Sequence, residues 1–349
     1  MKIWIATGGT GGHVFPALSV ADKLDKLGHK VIISSDLRVK DMISKNKPIN
    51  SKLFIIWASG VGGKNLLFKL FSLFKIAIST VYLFFIFLIK KPNRVVAFGG
   101  YSSVPAIFVA HLLKIPTLLH EQNAAIGRAN KFALKWVKVL MTSFKNVEGV
   151  NNKSVKIVYT GLPVRDEILK LSNSPLKMKS EILITGGSLG AKILDDIVPI
   201  AIENIKNKKV FITHQTRPEN TDKLRKFYLK AKIKANVVSF INDIATVIEK
   251  SDLIISRGGA STVVELQTIG RPAIIVPLSI NPDQMANAKS FEKTGGAIAI
   301  EQSKFTVKWL SSTISELLNN PNRLKKMSEK AYIKNNATEL IIQQILKNN

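Results

Sequence analysis

At 349 residues, 46% of them apolar, the chain calls for two domains and has ample material for their cores. It contains no cysteine, which excludes disulfides, thiolate metal sites and a cysteine nucleophile and fits a reducing compartment. Its net charge of +27 is concentrated in residues 1–162, where 23 Lys and Arg face 6 Asp and Glu. Such an excess points to an anionic partner surface, membrane or nucleic acid, although only nine of the basic residues are Arg and a Lys- and Asn-rich composition also arises by drift.

Ile3-Trp4-Ile5-Ala6 is a short apolar run that predicts a buried first strand, and Met1-Lys2 leads straight into it, which predicts no cleavable leader. From Val14 to Leu27, apolar residues recur at helical spacing through Leu18, Ala21, Leu24 and Leu27. The intervening Gly8-Gly9-Thr10-Gly11-Gly12-His13 therefore sits at a strand-to-helix turn, at the sheet edge where open α/β folds bind ligands. Its glycines admit a close ligand and the helix start offers N–H groups to a phosphate or another polar group, with His13 available for proton transfer. The plainer alternative is a tight turn whose glycines only solve geometry.

Lys30 to Asp36 reads as a second strand ending in an acid. A dinucleotide fold would use that acid on a ribose, but the G-x-G-x-x-G pattern fails, because the third glycine would fall at Val14. Asp36 is then an ordinary strand-end residue. Leu66 to Ile89 is the most apolar stretch, yet its longest run without charge, Ile76–Ile89, is fourteen residues, against the ~20 a membrane span requires. Asn65, Lys69, Ser72, Lys75 and Ser79 form one polar stripe on it, and Lys64, Lys90 and Lys91 flank it. The pattern predicts a long amphipathic helix that packs on the sheet and dips its outer apolar residues into a membrane surface; the alternative is a fully buried helix pair.

Arg94 to Phe98 predicts another strand, followed by the turn Gly99-Gly100-Tyr101-Ser102-Ser103 and an apolar helix from Ala106. Thr117-Leu118-Leu119 forms a strand ending in His120-Glu121-Gln122-Asn123, and Val155 to Tyr159 a last strand of this half. Gly161 to Arg165 breaks the pattern as an interdomain connection. The second half restarts it: Glu181 to Thr185, then Gly186-Gly187-Ser188-Leu189-Gly190, so the chain holds two similar α/β domains. Further strands are expected at Val210–Thr213, Val237–Ile241, Leu253–Ile255 and Ala273–Pro277, with the glycine turn Ser256-Arg257-Gly258-Gly259-Ala260 opening a helix that carries Glu265. A helix starts near Asp283-Gln284, and the tail from Pro321 is Lys-rich and helical.

GGTGGHVFPALSVA, FGGYSSVPA, HEQNAAIGRANK, TGLPVR, TGGSLGAK, SRGGASTVVE and DQMANA, in this order over nearly the whole chain, resemble the peptidoglycan N-acetylglucosaminyltransferase family known as MurG. The resemblance implies an α/β chain of two Rossmann-like domains facing a cleft, the B-type glycosyltransferase fold. Residues 1–162 would form the acceptor- and membrane-facing domain and 163–331 the UDP-GlcNAc domain, with a C-terminal helix at 332–349 packing back on the first. The implied activity is inverting transfer of GlcNAc from UDP-GlcNAc to the C4 hydroxyl of MurNAc in undecaprenyl-diphosphate-linked MurNAc-pentapeptide (lipid I), giving lipid II, without a metal or other cofactor. Implied surroundings are the cytoplasmic face of the bacterial inner membrane, held peripherally, with an anionic membrane surface and other cell-wall or division proteins as partners and no nucleic acid.

By the same resemblance, Thr10-Gly11-Gly12 and Asn123 face the sugar end of the donor. Arg165 and Ser188 meet the donor from the second domain, and Ile241 holds uracil through its backbone. Arg257 with Ala260-Ser261-Thr262 holds the diphosphate, Glu265 accepts the ribose hydroxyls and Gln284 contacts the sugar. The serine common in the family after the arginine is here Gly258. The chemistry agrees: a guanidinium and helix-start N–H groups stabilise a departing diphosphate, and no Asp-x-Asp motif occurs in the chain. The acceptor hydroxyl needs a base, for which His13 is the candidate and Glu121 the alternative; Glu121 is otherwise a structural carboxylate. Two competing readings are a UDP-GlcNAc 2-epimerase of the same fold and a basic nucleic-acid-binding protein, the latter without the interleaved aromatics such modules carry.

Overall fold

The structure is a computed structural model. It describes residues 1–58, 66–151, 155–187, 190–205 and 209–347. The chain divides into two units, Met1–Arg165 with Asn335–Asn349, and Asp166–Lys334.

Among the described residues the first unit holds seven parallel strands: β1 (Lys2–Ala6), β2 (Lys30–Asp36), β3 (Lys52–Ile56), β4 (Arg94–Ala97), β5 (Thr117–Glu121), β6 (Val139–Thr142) and β7 (Lys156–Tyr159). Their order across the sheet is β3-β2-β1-β4-β5-β6-β7. Both faces of β1 are covered after Lys2, so Ile3 to Ala6 are apolar throughout instead of alternating. Ile3 and Ile5 point to one side, among Leu18, Leu24, Ile33 and Val96. Trp4 and Ala6 point to the other, among Ile32, Val95, Leu119 and Leu140. The helix Ala337–Leu346 closes the first side with Ile341 and Ile345, and the buried Arg94 donates to the Lys347 carbonyl at 2.9 Å just beyond its end.

The helix Leu66–Lys90 closes the second side. Leu83 and Phe87 are buried in that cluster, with the Phe87 ring 4.7 Å from Trp4. Of the polar stripe, Ser72 and Ser79 face the protein: both are buried, and the Ser79 hydroxyl accepts from the Trp57 N–H at 2.9 Å and donates to its carbonyl at 2.7 Å. Lys75 is half-buried with its Nζ 4.5 Å over the Phe71 ring. Exposed large apolar residues on it include Phe71, Phe74, Tyr82, Phe85, Leu88 and Ile89. The side-chain surroundings of Lys69 and the whole of Lys64 and Asn65 lie outside the described residues. By length and composition alone, Leu70–Lys90 would suffice to cross a membrane.

Six parallel strands form the second sheet among the described residues: β8 (Glu181–Thr185), β9 (Phe211–Gln215), β10 (Lys234–Val238), β11 (Leu253–Ser256), β12 (Ala273–Ile275) and β13 (Ala297–Ala299), ordered β10-β9-β8-β11-β12-β13. β10 ends at Val238, opposite Gln215, and not at Ile241, because its partner β9 ends there and the backbone has nothing further to pair with. Arg271 is fully buried and its guanidinium donates to the carbonyls of Ser174, Pro175, Ile248 and Glu249, tying the segment before β8 to the helix Ile244–Lys250.

Each sheet reverses its winding once, between β1 and β4 and between β8 and β11, and such points are where open α/β sheets leave a crevice at the strand ends. The glycine turns occupy both. Gly100, at φ +79°, sits so close to the turn after β1 that a Cβ there would lie 2.9 Å from the Gly8 carbonyl oxygen. A side chain at residue 100 would both strain the backbone and push the two turns apart.

Candidate active site

In the first unit, the turn after β1 leads into the helix Gly11–Lys26. Thr10 is extended and exposed before it, and its first turn contains Gly11 and Gly12 and no acidic residue. The positive end of the helix is therefore open to an anion or a polar ligand. Asp36 does more than end β2: its carboxylate accepts from the Gly9 N–H at 2.8 Å and from Arg38 Nε at 2.8 Å, holding the glycine turn from below. Spacing gave no sign of this, because the two partners are 27 residues apart.

His13 stands on the first turn of that helix, half-buried. The Thr7 hydroxyl donates to its carbonyl at 2.9 Å. Its Nδ1 lies 3.0 Å from Gln122 Oε1, and Gln122 Nε2 donates to the Phe98 carbonyl at 2.8 Å. The residue after β1 thus holds the His13 backbone, while Gln122, after β5, links its imidazole to the end of β4.

Glu121, at the end of β5, is buried. Its Oε1 accepts from the Asn123 N–H at 2.9 Å and Asn123 Nδ2 at 3.2 Å; its Oε2 accepts from the Gly127 N–H at 3.0 Å and Asn130 Nδ2 at 2.7 Å. Burial pushes its pKa above the ordinary carboxylate range, against these four donors, which favour the anion. The carboxylate organises the loop 122–130, the loop that carries Gln122 and the half-buried Asn123. Beside it His120 is fully buried, its Nε2 2.9 Å from the Gly161 carbonyl, and burial lowers its pKa to about 4.

In the second unit, β11 ends at Ser256 and the helix Ala260–Ile269 begins after Gly259. Ala260, Ser261, Thr262 and Glu265 are the half-buried residues of an otherwise buried helix, so the side it opens to solvent is the one with the hydroxyls and the carboxylate. Arg257 Nη1 donates to the carbonyls of Val276 at 3.0 Å and Pro277 at 3.3 Å, and to Gln302 Oε1 at 2.9 Å. Burial lowers its pKa, yet a guanidinium remains a cation at neutral pH. Gln302 escaped sequence analysis: a lone glutamine 45 residues from its partner carries no local signal.

Gln284, on the first turn of the helix Pro282–Glu292, accepts from the Leu278 N–H at 3.0 Å. The same helix is latched to the turn after β11 by the buried Asn287, whose Nδ2 donates to the Gly258 carbonyl at 3.0 Å. A Cβ at Gly258 would lie 2.4 Å from the Gln284 carbonyl oxygen, which is why this turn accommodates glycine and not serine. Ile241 is half-buried in the loop between β10 and the helix Ile244–Lys250. Arg165 is the exposed last residue of the first unit before the division. Ser188 lies outside the described residues.

Two glycine-turn sites, each at the winding reversal of its own parallel sheet, one with an imidazole and the other with a guanidinium before a helix that carries a carboxylate beyond its first turn, fit an α/β enzyme of the glycosyltransferase class, and the family match bears this out. Residues 3–142 match the N-terminal domain of glycosyltransferase family 28 and residues 181–345 its C-terminal domain, and the chain belongs to that family. A protein of Agrobacterium fabrum described as UDP-N-acetylglucosamine–N-acetylmuramyl-(pentapeptide) pyrophosphoryl-undecaprenol N-acetylglucosamine transferase is 37% identical over 92% of this chain and 87% of its own. One of Paramagnetospirillum magneticum with the same description is 36% identical over 92% and 89%. The crystal structure of Acinetobacter baumannii MurG superposes with a TM-score of 0.81 at 32% identity, covering 99% of both chains. The fold is the B-type glycosyltransferase fold.

Proposed function

We propose that the chain transfers GlcNAc from UDP-GlcNAc to the C4 hydroxyl of MurNAc in lipid I, forming lipid II for peptidoglycan synthesis. The observation that carries this is the match of nearly the whole chain, glycine turns included, to relatives named for that transfer. The donor belongs to the second unit, where Arg257 and the start of the helix Ala260–Ile269 hold the diphosphate, Glu265 the ribose, Ile241 the uracil and Gln284 the sugar, with Ser188 as a further donor contact; Arg165, one residue before that unit begins, is the remaining candidate contact. Thr10-Gly11-Gly12 and Asn123 address the sugar end from the first unit. His13 takes the proton of the acceptor hydroxyl as its oxygen bonds to the anomeric carbon and UDP departs with the bonding pair. Glu121 holds the loop beside it. Labelled GlcNAc should pass from UDP-GlcNAc to a short-chain lipid I analogue, with UDP release dependent on that acceptor. Acceptor-independent UDP release with formation of the 2-epimer would overturn the assignment. His13→Ala should lower kcat ~10²–10⁴-fold with UDP-GlcNAc binding intact; near-normal turnover would remove His13 as the base.

The first unit docks on the cytoplasmic membrane face through the outer side of the helix Leu66–Lys90. The support is its inside-out pattern, with the serines inward and Phe71, Phe74, Phe85 and Leu88 outward. Crossing the bilayer would withdraw Leu83 and Phe87 from the core and break the Ser79–Trp57 bonds, which supports a helix lying in the interface over one that spans it. Each such side chain buried contributes roughly 1.5–3 kcal/mol, and each nearby Lys about 1 kcal/mol on an anionic surface. The protein should co-sediment with anionic vesicles, leave them partly in high salt and bind neutral ones poorly. Phe74→Ser with Phe85→Ser should release it without affecting UDP-GlcNAc binding. Extraction by detergent alone would mean a true span.

A further inference from the structure

The polar groups around His13 determine which of its nitrogens carries the hydrogen. The Phe98 carbonyl can only accept, so the end of the Gln122 amide 2.8 Å from it is the NH2 group. The other end, 3.0 Å from His13 Nδ1, is therefore the amide oxygen. That oxygen can also only accept, so Nδ1 is protonated, and a neutral imidazole then has its lone pair on Nε2. Gln122 has no freedom to turn over: it is buried, its amide bridges the end of β4 to the helix Gly11–Lys26, and its backbone follows the carboxylate that organises the loop 122–130.

We propose that Gln122 is a positioning residue that fixes the Nδ1–H tautomer of His13 and so presents Nε2 to the acceptor hydroxyl. The proposal rests on His13 being the base. As the hydroxyl O–H breaks, its proton goes to Nε2, and the Nδ1–H of the imidazolium continues to donate to the amide oxygen while the new C–O bond forms and UDP leaves. An amide suits this position better than a carboxylate. A Glu at 122 would accept from Nδ1–H equally well, but its charge would keep the ring protonated before the reaction, when Nε2 has to be a lone pair.

Three proteins and one control test this: wild type, Gln122→Met, Gln122→Glu and His13→Ala. Long-range proton–nitrogen NMR of histidine-labelled, ligand-free protein should show His13 as the Nδ1–H tautomer in the wild type and a mixture with Nε2–H in Gln122→Met. In Gln122→Met, kcat should fall about 10-fold or more, while the KM for UDP-GlcNAc stays within about twofold. In Gln122→Glu the Nδ1–H should persist and the acid limb of the kcat–pH profile should move up by about one unit or more, restoring turnover at high pH. Glu121, His120 and the Asp36–Arg38 pair, the neighbouring titratable groups among the described residues, are the same in every variant. An Nε2–H ring in the wild type, an Nδ1–H ring with unchanged kcat in Gln122→Met, or an unshifted profile in Gln122→Glu would each overturn the proposal. Full turnover in His13→Ala would instead overturn the base assignment, leaving the tautomer to be decided by NMR.

Discussion

Replacing Glu121 by Gln separates a scaffold carboxylate from a catalytic one. In the native protein four N–H groups converge on its two oxygens, two on each. A glutamine retains one oxygen and turns an NH2 group toward two donors. The amide would direct its nitrogen to the Asn123 side, because Asn123 is half-buried whereas Asn130 is buried and cannot find water. The Asn123 N–H and its side-chain NH2 then lose a charged acceptor, and hydrogen bonds to charged groups contribute about 1.5–3 kcal/mol each. Removing a buried anion whose pKa is already raised offsets part of this. The net loss is about 2–4 kcal/mol, which for a unit of this size lowers its melting temperature by roughly 5–15 °C. Thermal melts followed by tryptophan fluorescence report it, since Trp4 is fully buried in the first unit. Turnover should fall as well, because the loop that carries Gln122 and Asn123 loosens. An unchanged melt with abolished turnover would refute the scaffold argument and make Glu121 a proton acceptor.

Acid should destabilise the first unit through His120. Burial lowers its pKa from 6.5 to about 4 in the folded protein, so between those values the unfolded chain binds the extra proton. Stability is complete above pH 6.5 and declines by about 3 kcal/mol as pH falls through that window. His120→Gln should flatten the difference in denaturation midpoint between pH 7 and pH 4, and an equally steep decline in that variant would refute the assignment. Glu265→Ala should weaken UDP binding, measured by calorimetry, by about 1.5–3 kcal/mol; unchanged affinity in a folded variant would remove its ribose role. Gly258→Ser should displace the helix Pro282–Glu292, because its Cβ would clash with the Gln284 carbonyl at 2.4 Å. It should cost about 1–3 kcal/mol of stability and weaken donor binding, and a variant with native melting and affinity would show that the turn has slack.

Local pattern was enough for much of this protein. A run such as Ile3-Trp4-Ile5-Ala6 is apolar throughout because a parallel strand is covered on both faces, and a glycine turn before a helical period marks a strand's carboxyl end whatever surrounds it. His13, Glu121, Arg257 and Glu265 could be singled out for that reason. The strands β3, β6 and β13 gave no such signal, being edge, short or three-residue segments whose pairing is supplied by a neighbour. Tertiary structure alone decided what those side chains face. Asp36 reaches Gly9, Gln122 joins Phe98 to His13, Gln302 takes Arg257, and Asn287 latches Gly258, each across a sequence separation at which no periodicity survives. The same holds for the helix Leu66–Lys90. Its composition specifies one polar stripe, but an apolar helix presents two admissible faces, and only the fit of Leu83 and Phe87 against Trp4 and of Ser79 against the Trp57 backbone turns Ser72 and Ser79 inward and leaves Phe71, Phe74 and Phe85 on the surface.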